Sequence, residues 1–320
     1  MTWIETYRGT VHRWEVDNVD HFTVAYYFSR FEDATLALLE AIGLGPEARG
    51  TAGRLVAITS ARVRYRRELR LGDVLHVRSG VVAADDGGLA LAHELYDSGD
   101  GHLCTTLAQR ASIVEATSRA PIALSAAERG RALAYRVAWD GGAEPANGVP
   151  VGDDAGFLDT ARDTVKPWEV DAAGFAAPPA FIHRFTAANG HILAAFGMSP
   201  AYMRAERRGF STFEFNLAYP GALRAGDHLR VRSALLHVGS SSIRILHRLS
   251  DARTGSLVAT LEQSGVHLDM EARRPTPLPD ELRQRAKAIL VTPPAVASSG
   301  QRPQKAASEA DTESGRRTGR

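Results

Sequence analysis

The chain has 320 residues, a formal net charge of +1, 44% apolar and 23% charged residues. This is ordinary globular composition, enough for one large or two medium domains, and too balanced in charge to indicate a polyanionic partner such as nucleic acid. A single cysteine, Cys104, excludes an internal disulfide and every multi-cysteine zinc pattern, so a reducing cytoplasm is the simplest compartment. No basic stretch leads into an apolar run and no 18 or so apolar residues follow one another, so neither a signal peptide nor a membrane span is expected.

In chain order, residues 7–16 (YRGTVHRWEV) predict a strand that ends at Asp17. A helix follows, with Val24, Tyr27, Phe28, Phe31, Leu38 and Ile42 at helical spacing, and the glycines of GLGPEARG end it. Four strand-like runs come next, at residues 54–65, 74–84, 88–96 and 103–115, with ADDGG and DSGDG as turns. Ser125 and Glu128 stand at capping-box spacing ahead of a short helical run. Residues 140–156, rich in glycine, proline and small polar side chains, predict a surface loop.

The chain then repeats itself. An offset of 154 residues carries Trp14, Glu15 and Asp17 onto Trp168, Glu169 and Asp171, and Arg30 and Phe31 onto Arg184 and Phe185. The same register reaches Tyr65 and Tyr219, Gly72 and Gly226, His93 and His247. The second copy has a helix entered through Pro178 and Pro179, strands at residues 210–219, 228–238, 242–249 and 257–269, and a trailing helix starting near Pro279 and Asp280. One strand, one long helix, then several consecutive strands make an α+β unit with an antiparallel sheet. The expected division is a first unit with its trailing helix at 1–135, a linker at 136–155, a second unit with its trailing helix at 156–290, and a disordered tail at 291–320.

A strand ending in W-x-x-D, a short loop of the D-x-x-G-H kind, a helix with Y-x-x-x-F-x-x-A, and a later tyrosine followed eight residues on by G-D resemble the hotdog-fold acyl-CoA thioesterases of the 4-hydroxybenzoyl-CoA thioesterase type. The resemblance covers about residues 6–116 and again 160–272. It implies a double hotdog in one chain, two tandem units each with an antiparallel sheet wrapped around a central helix, with thioester sites where the units meet. It carries the catalytic aspartate onto Asp17 and Asp171. The glycine at the helix entrance is Gly174 but is replaced by Asp20 in the first copy, and the histidine that often follows is His21 but is replaced by Phe175 in the second. Thr23, Tyr26, Tyr27, Arg64 and Arg66 are candidate substrate contacts, the arginines for the anionic part of coenzyme A.

A carboxylate held before a helix suits this chemistry as general base or nucleophile, and the first N–H groups of the helix can polarise a carbonyl. Pro178 and Pro179 remove two such donors from the second copy. Each residue also has a structural reading: an aspartate before a helix is often an N-cap, Thr23 is an early helix or capping residue, His21 an exposed or hydrogen-bonded histidine, and Arg62, Arg64 and Arg66 a solvated strand face. Cys104 falls in an apolar strand as a core residue, and His183 and His191, eight apart, make no ligand pair. The expected function is hydrolysis of an acyl-CoA thioester without a cofactor or metal, with no membrane partner and with pairing of two double units into a homodimer. The alternatives are a non-catalytic acyl-CoA binding or regulatory protein and a hotdog enoyl-CoA hydratase or dehydratase.

Overall fold

The computed structural model describes residues 3–17, 21–45, 53–142, 144–145, 148–150, 154–171, 173–292 and 296–298. Two β-α-β-β-β-β units run in tandem. The first comprises β1 (Ile4–Thr10), α1 (Val24–Ala41), β2 (Arg54–Tyr65), β3 (Val74–Asp85), β4 (Gly88–Asp97) and β5 (Leu103–Glu115), followed by α2 (Ala126–Leu133). After β6 (Gly148–Pro150), the second comprises β7 (Leu158–Thr164), α3 (Pro178–Ala195), α4 (Pro200–Ala205), β8 (Arg208–Ala218), β9 (His228–Val238), β10 (Ser242–Asp251) and β11 (Leu257–Asp269). Then come β12 (Arg274–Pro275), α5 (Asp280–Ala288) and β13 (Val296–Ser298).

The strands join one antiparallel sheet in the order β1-β3-β4-β5-β2-β8-β11-β10-β9-β7, with β12 alongside β11. The two halves meet where β2 pairs β8, with Ala61 opposite Leu217 and Val63 opposite Phe215. The long helices explain this union. Residues Tyr27, Phe28, Phe31, Ala34, Leu38 and Leu39 bury one broad face of α1, and Phe181, Ile182, Phe185, Ala188, Ile192 and Leu193 do the same for α3. Phe28, Phe31, Phe181, Phe185 and Phe215 share one apolar cluster, so the largest core belongs to both halves at once. Smaller clusters around Leu38 and Ile113, and around Phe196 and Ile245, serve one half each.

The strand expected over residues 7–16 bends before its end. β1 stops at Thr10 and residues Arg13–Glu15 form a 3-10 turn, mirrored by Pro167–Glu169. Glu15 causes the bend: its carboxylate accepts the His12 N–H at 2.9 Å and pairs with Arg30 on α1, while it is itself buried. Glu169 accepts the Lys166 N–H at 2.8 Å and the Arg184 Nη2 at 2.7 Å. The repeated tryptophans point outward, Trp14 being 69% and Trp168 80% exposed. In the repeated W-E-V-D word it is thus the glutamate that ties the aspartate loop to the central helix.

The Ser125 capping box forms, with the Ser125 N–H donating to Glu128 Oε2 at 2.8 Å, and Gly43 ends α1 at φ +74°. Cys104 is buried. α4, opened by Ser199 and Pro200, was not expected, although both are start signals for a helix. The expected surface linker is partly docked: the Val137 N–H donates to Val81 O at 2.9 Å, and Trp139 sits beside Trp3. Residues 296–298, placed in the tail, form β13 against β6 of the linker. Residues 299–320 lie outside the described residues.

Candidate active site

Each aspartate closes a tight loop. The Asp17 N–H donates to His21 O at 2.9 Å, and Asp17 Oδ1 accepts the His21 N–H at 3.0 Å. The Asp171 N–H donates to Phe175 O at 2.7 Å, and Asp171 Oδ1 accepts the N–H groups of Ala173 at 2.8 Å and Phe175 at 3.1 Å. Neither aspartate is a helix N-cap: Thr23 holds that position for α1 and Ala177 for α3. Gly174 takes φ +79°, a conformation that favours glycine, while its counterpart Asp20 lies outside the described residues.

Both loops open onto cavities in the seam between the halves, and each cavity is completed by the opposite half. The Asp17 cavity, about 500 Å³, takes His21, Thr23 and Tyr27 from the first unit and Asn189, Gln263 and Arg273 from the second. The Asp171 cavity, about 110 Å³, takes Phe175 and Phe181 from the second unit and Glu32, Gln109 and Arg119 from the first. The 154-residue offset carries Gln109 onto Gln263 and Arg119 onto Arg273, so the two seams are related by the repeat.

Two of these features escaped the sequence reading although the repeat marks them. Gln109 ends a buried chain in which Thr6 Oγ1 meets Ser79 Oγ at 2.6 Å, Ser79 Oγ meets His93 Nδ1 at 2.6 Å, and His93 Nε2 meets Gln109 Oε1 at 3.1 Å. Thr160, Ser233, His247 and Gln263 repeat it at 2.7, 2.6 and 3.3 Å. The glutamine oxygen accepts, so each imidazole carries its proton on Nε2, and burial pushes both histidines down to about 4. Arg119 and Arg273 hold φ +60° and +52°, and with Arg207 at +50° they are the non-glycine residues in left-handed backbone among those described. Arg119 lies 4.8 Å from the Phe175 ring centre, and Arg273 contacts His21 and donates to Glu68 Oε2 at 2.5 Å.

His21 Nε2 is also 2.6 Å from Glu68 Oε2. Burial lowers the His21 pKa and outweighs the opposing pull of Glu68 and Asp17. For Glu68, burial favours the neutral acid, but hydrogen bonds from Arg273 and Arg70 prevail and hold its carboxyl below the usual range.

The remaining candidates divide. Thr23, Tyr27 and Arg66 line the Asp17 cavity, Arg66 also donating to Gly141 O at 3.1 Å. Tyr26 lines neither cavity; its ring stands edge-on to His183 of α3, in the contact between the helices. Arg64 also lines neither: its Nε donates to Glu214 Oε2 at 2.8 Å, while Arg62 donates to Glu214 Oε1 at 2.8 Å. These two arginines clamp one glutamate across the β2–β8 junction, and Arg64 keeps a partly exposed side chain there. α1 has no proline in its first turn, whereas α3 begins with Pro178 and Pro179 and lacks those two N–H donors. Among the described residues no helix is long and apolar enough to cross a membrane, and no group of three or more His, Cys, Asp or Glu is disposed to hold a metal.

A model of the thioesterase-like superfamily matches residues 11–133 and 165–286. The L-carnitine dehydrogenase/betainyl-CoA thioesterase of Rhizobium meliloti (strain 1021) is 26% identical over 151 residues, 47% of this chain and 30% of that protein. The match thus spans less than a third of the length of that relative. Among solved structures, a protein named as an oleoyl thioesterase from Lactobacillus plantarum has a TM-score of 0.67 at 10% identity, over 87% of this chain and 98% of its own. The 12:0-ACP thioesterase from Umbellularia californica has a TM-score of 0.65 at 13% identity, over 82% and 93%. At these identities the likeness is one of fold.

Proposed function

The chain belongs to the thioesterase-like superfamily, with a hotdog fold in two tandem segments, and from that membership we infer that it is a thioester hydrolase acting on an acyl-CoA in the seams between its halves. The observation that carries this reading is that each duplicated aspartate borders a cavity walled by the other half. Asp17 and Asp171 act as the bases. A water attacks the thioester carbonyl and yields a proton to the aspartate, the carbonyl oxygen gathers charge, and as that intermediate collapses the C–S bond breaks and the aspartate returns the proton to the departing sulfur, leaving free thiol and carboxylic acid. The first turn of α1 favours the Asp17 seam for stabilising that oxygen, because its N–H groups are not replaced by prolines. His21 orients the substrate there, and Thr23, Tyr27 and Arg66 line its path.

The finer features follow the same reading. The chain is of the 4-hydroxybenzoyl-CoA thioesterase type, each sheet half curls around its own long helix, and the units span 1–135 and 156–290. It works in the cytoplasm, where Cys104 stays a thiol, and two chains pair as a homodimer. The betainyl-CoA activity named for the Rhizobium relative places small cationic acyl groups on the substrate panel for this chain. The test is release of free thiol from short, medium, aromatic and cationic acyl-CoA thioesters; no release above background from any of them refutes the assignment.

A second reading, a binding protein without turnover, has its own observation: each Asp Oδ1 already holds a loop closed. It predicts that acyl-CoA raises the melting temperature while Asp17→Asn changes no rate.

A further inference from the structure

The Asp17 seam carries its own anion. Glu68 takes hydrogen bonds from Arg70 Nη2 at 2.5 Å and from Arg273 Nη2 at 2.5 Å, one arginine from each half, and its Oε2 lies 2.6 Å from His21 Nε2. The repeat keeps both arginines in the Asp171 seam and discards what they hold: Arg70 becomes Arg224, Arg273 becomes Arg119, Glu68 becomes Ala222 and His21 becomes Phe175. The two guanidiniums still converge. Arg224 stands 4.1 Å and Arg119 4.8 Å from the centre of the Phe175 ring, and among the described residues neither has a carboxylate within ion-pair distance. Burial lowers the Arg119 pKa, Asp171 opposes this, and the neighbouring Arg224 charge adds to it.

Two like charges brought together cost free energy that a bound anion recovers, and a guanidinium pair offers the charge-assisted hydrogen bonds that an oxyanion accepts. Ala222 lines the Asp171 cavity as Glu68 lines the Asp17 cavity, so the place left open is inside the seam. The two acids lining that cavity do not fill it. Asp171 Oδ1 is held by the N–H groups of Ala173 and Phe175, and Glu32, on the helix wall, has its pKa raised to about 7 by burial and then by Asp33 and Asp171. Near neutral pH, Glu32 is therefore about half uncharged. In the Asp17 seam only the His21 side chain separates the Glu68 carboxylate from the Asp17 loop, so an anion in the equivalent place sits a few atoms from the reacting carbonyl. The phosphates of coenzyme A lie at the far end of the pantetheine arm, whereas a carboxylate ending a short acyl group has that reach.

We propose that Arg119 and Arg224 bind a carboxylate carried by the substrate, so that the Asp171 seam takes thioesters of short dicarboxylic acids. This rests on the thioester hydrolase reading and deepens it by naming a substrate class. The test uses Asp17→Asn, in which turnover comes from the Asp171 seam, and compares glutaryl-CoA with 4-carbamoylbutanoyl-CoA, alike in shape and different in charge. At pH 7 the carboxylate is favoured in kcat/KM by about tenfold, the order of one charge-assisted hydrogen bond to a partly exposed arginine. Ala222→Glu, which copies Glu68 into the open place, and Arg224→Gln, at an exposed side chain, each bring the pair near parity. The same two acyl groups on pantetheine keep the preference, because the coenzyme phosphates take no part in it. Equal rates for the pair, a preference that survives either substitution in a folded chain, or a preference lost on pantetheine overturns the proposal and leaves the hydrolase standing. Turnover by the intact chain with none by Asp17→Asn does the same. If no thioester is turned over, the hydrolase reading fails, and the larger rise in melting temperature expected with glutaryl-CoA than with its amide still decides the carboxylate site.

Discussion

Arg62 lies directly opposite Asn216 in the β2–β8 ladder, and the 154-residue repeat makes these two the same position of the unit. An approximate two-fold axis therefore passes between them, and the exchange of walls between seams follows from it. The axis is broken at the side chains, since Arg62 and Arg64 both grip Glu214, whose own counterpart is Ser60. Glu214→Gln is expected to lower unfolding free energy by about 1–2 kcal/mol, the scale of a partly exposed charge-assisted pair of hydrogen bonds. Denaturant unfolding measures it, and a double-mutant cycle with Arg64→Gln assigns the share of that contact.

Asparagine keeps the oxygen that closes each loop but cannot act as a base. Asp17→Asn and Asp171→Asn are each expected to reduce turnover in their own seam by about 10²–10⁴-fold, with melting temperature unchanged. Asp17→Ala adds a loss of about 1 kcal/mol, because the His21 N–H loses its acceptor. Rates of the single and double variants on a thioester panel, beside thermal melts, separate chemistry from loop closure.

The three arginines in left-handed backbone supply a controlled comparison. Among the described residues the Arg207 side chain pairs with the exposed Glu271 and lines neither cavity, so Arg207→Gly should stabilise the protein by about 1 kcal/mol through relief of backbone strain, with rates unaltered. Arg119→Gly and Arg273→Gly relieve the same strain but remove a contact across a seam, so stability should hardly move while kcat/KM falls. A rate loss in Arg207→Gly equal to the others contradicts this assignment.

The buried imidazoles set a pH dependence. His93 and His247 fall from 6.5 to about 4 on burial, so the unfolded chain binds protons between those values and the folded chain does not. Stability is thus fully present above pH 6.5 and declines as pH falls towards 4. Going from pH 7 to pH 5, the expected loss is about 2 kcal/mol for each histidine. Urea unfolding across that range reports it, and His247→Gln should remove about half of the slope.

Much of the architecture was legible because a spacing of 154 residues recurs through strands, turns and helices alike, and local periodicity then named each element. The site was legible only in part. Asp17 and Asp171 stood out as repeats, but Glu32 reads as the polar face of an amphipathic helix until the opposite loop is laid against it. Arg64 read as a phosphate ligand or a solvated strand face, and its pairing with Glu214 could not be seen, because that partner lies 150 residues away in the other half. The bend after β1 likewise depends on the pairing of Glu15 with Arg30, which no local pattern contains. Arg119 and Arg273 could have been found from the repeat itself, since each precedes the matched segment before the trailing helix.

Because each cavity takes its loop from one half and its helix from the other, a substitution touches a single pocket. In a dimer of identical chains every change is stamped on both pockets together. Fusion lifts that constraint, so selection can tune one chamber for a new cargo while its twin keeps the ancestral one.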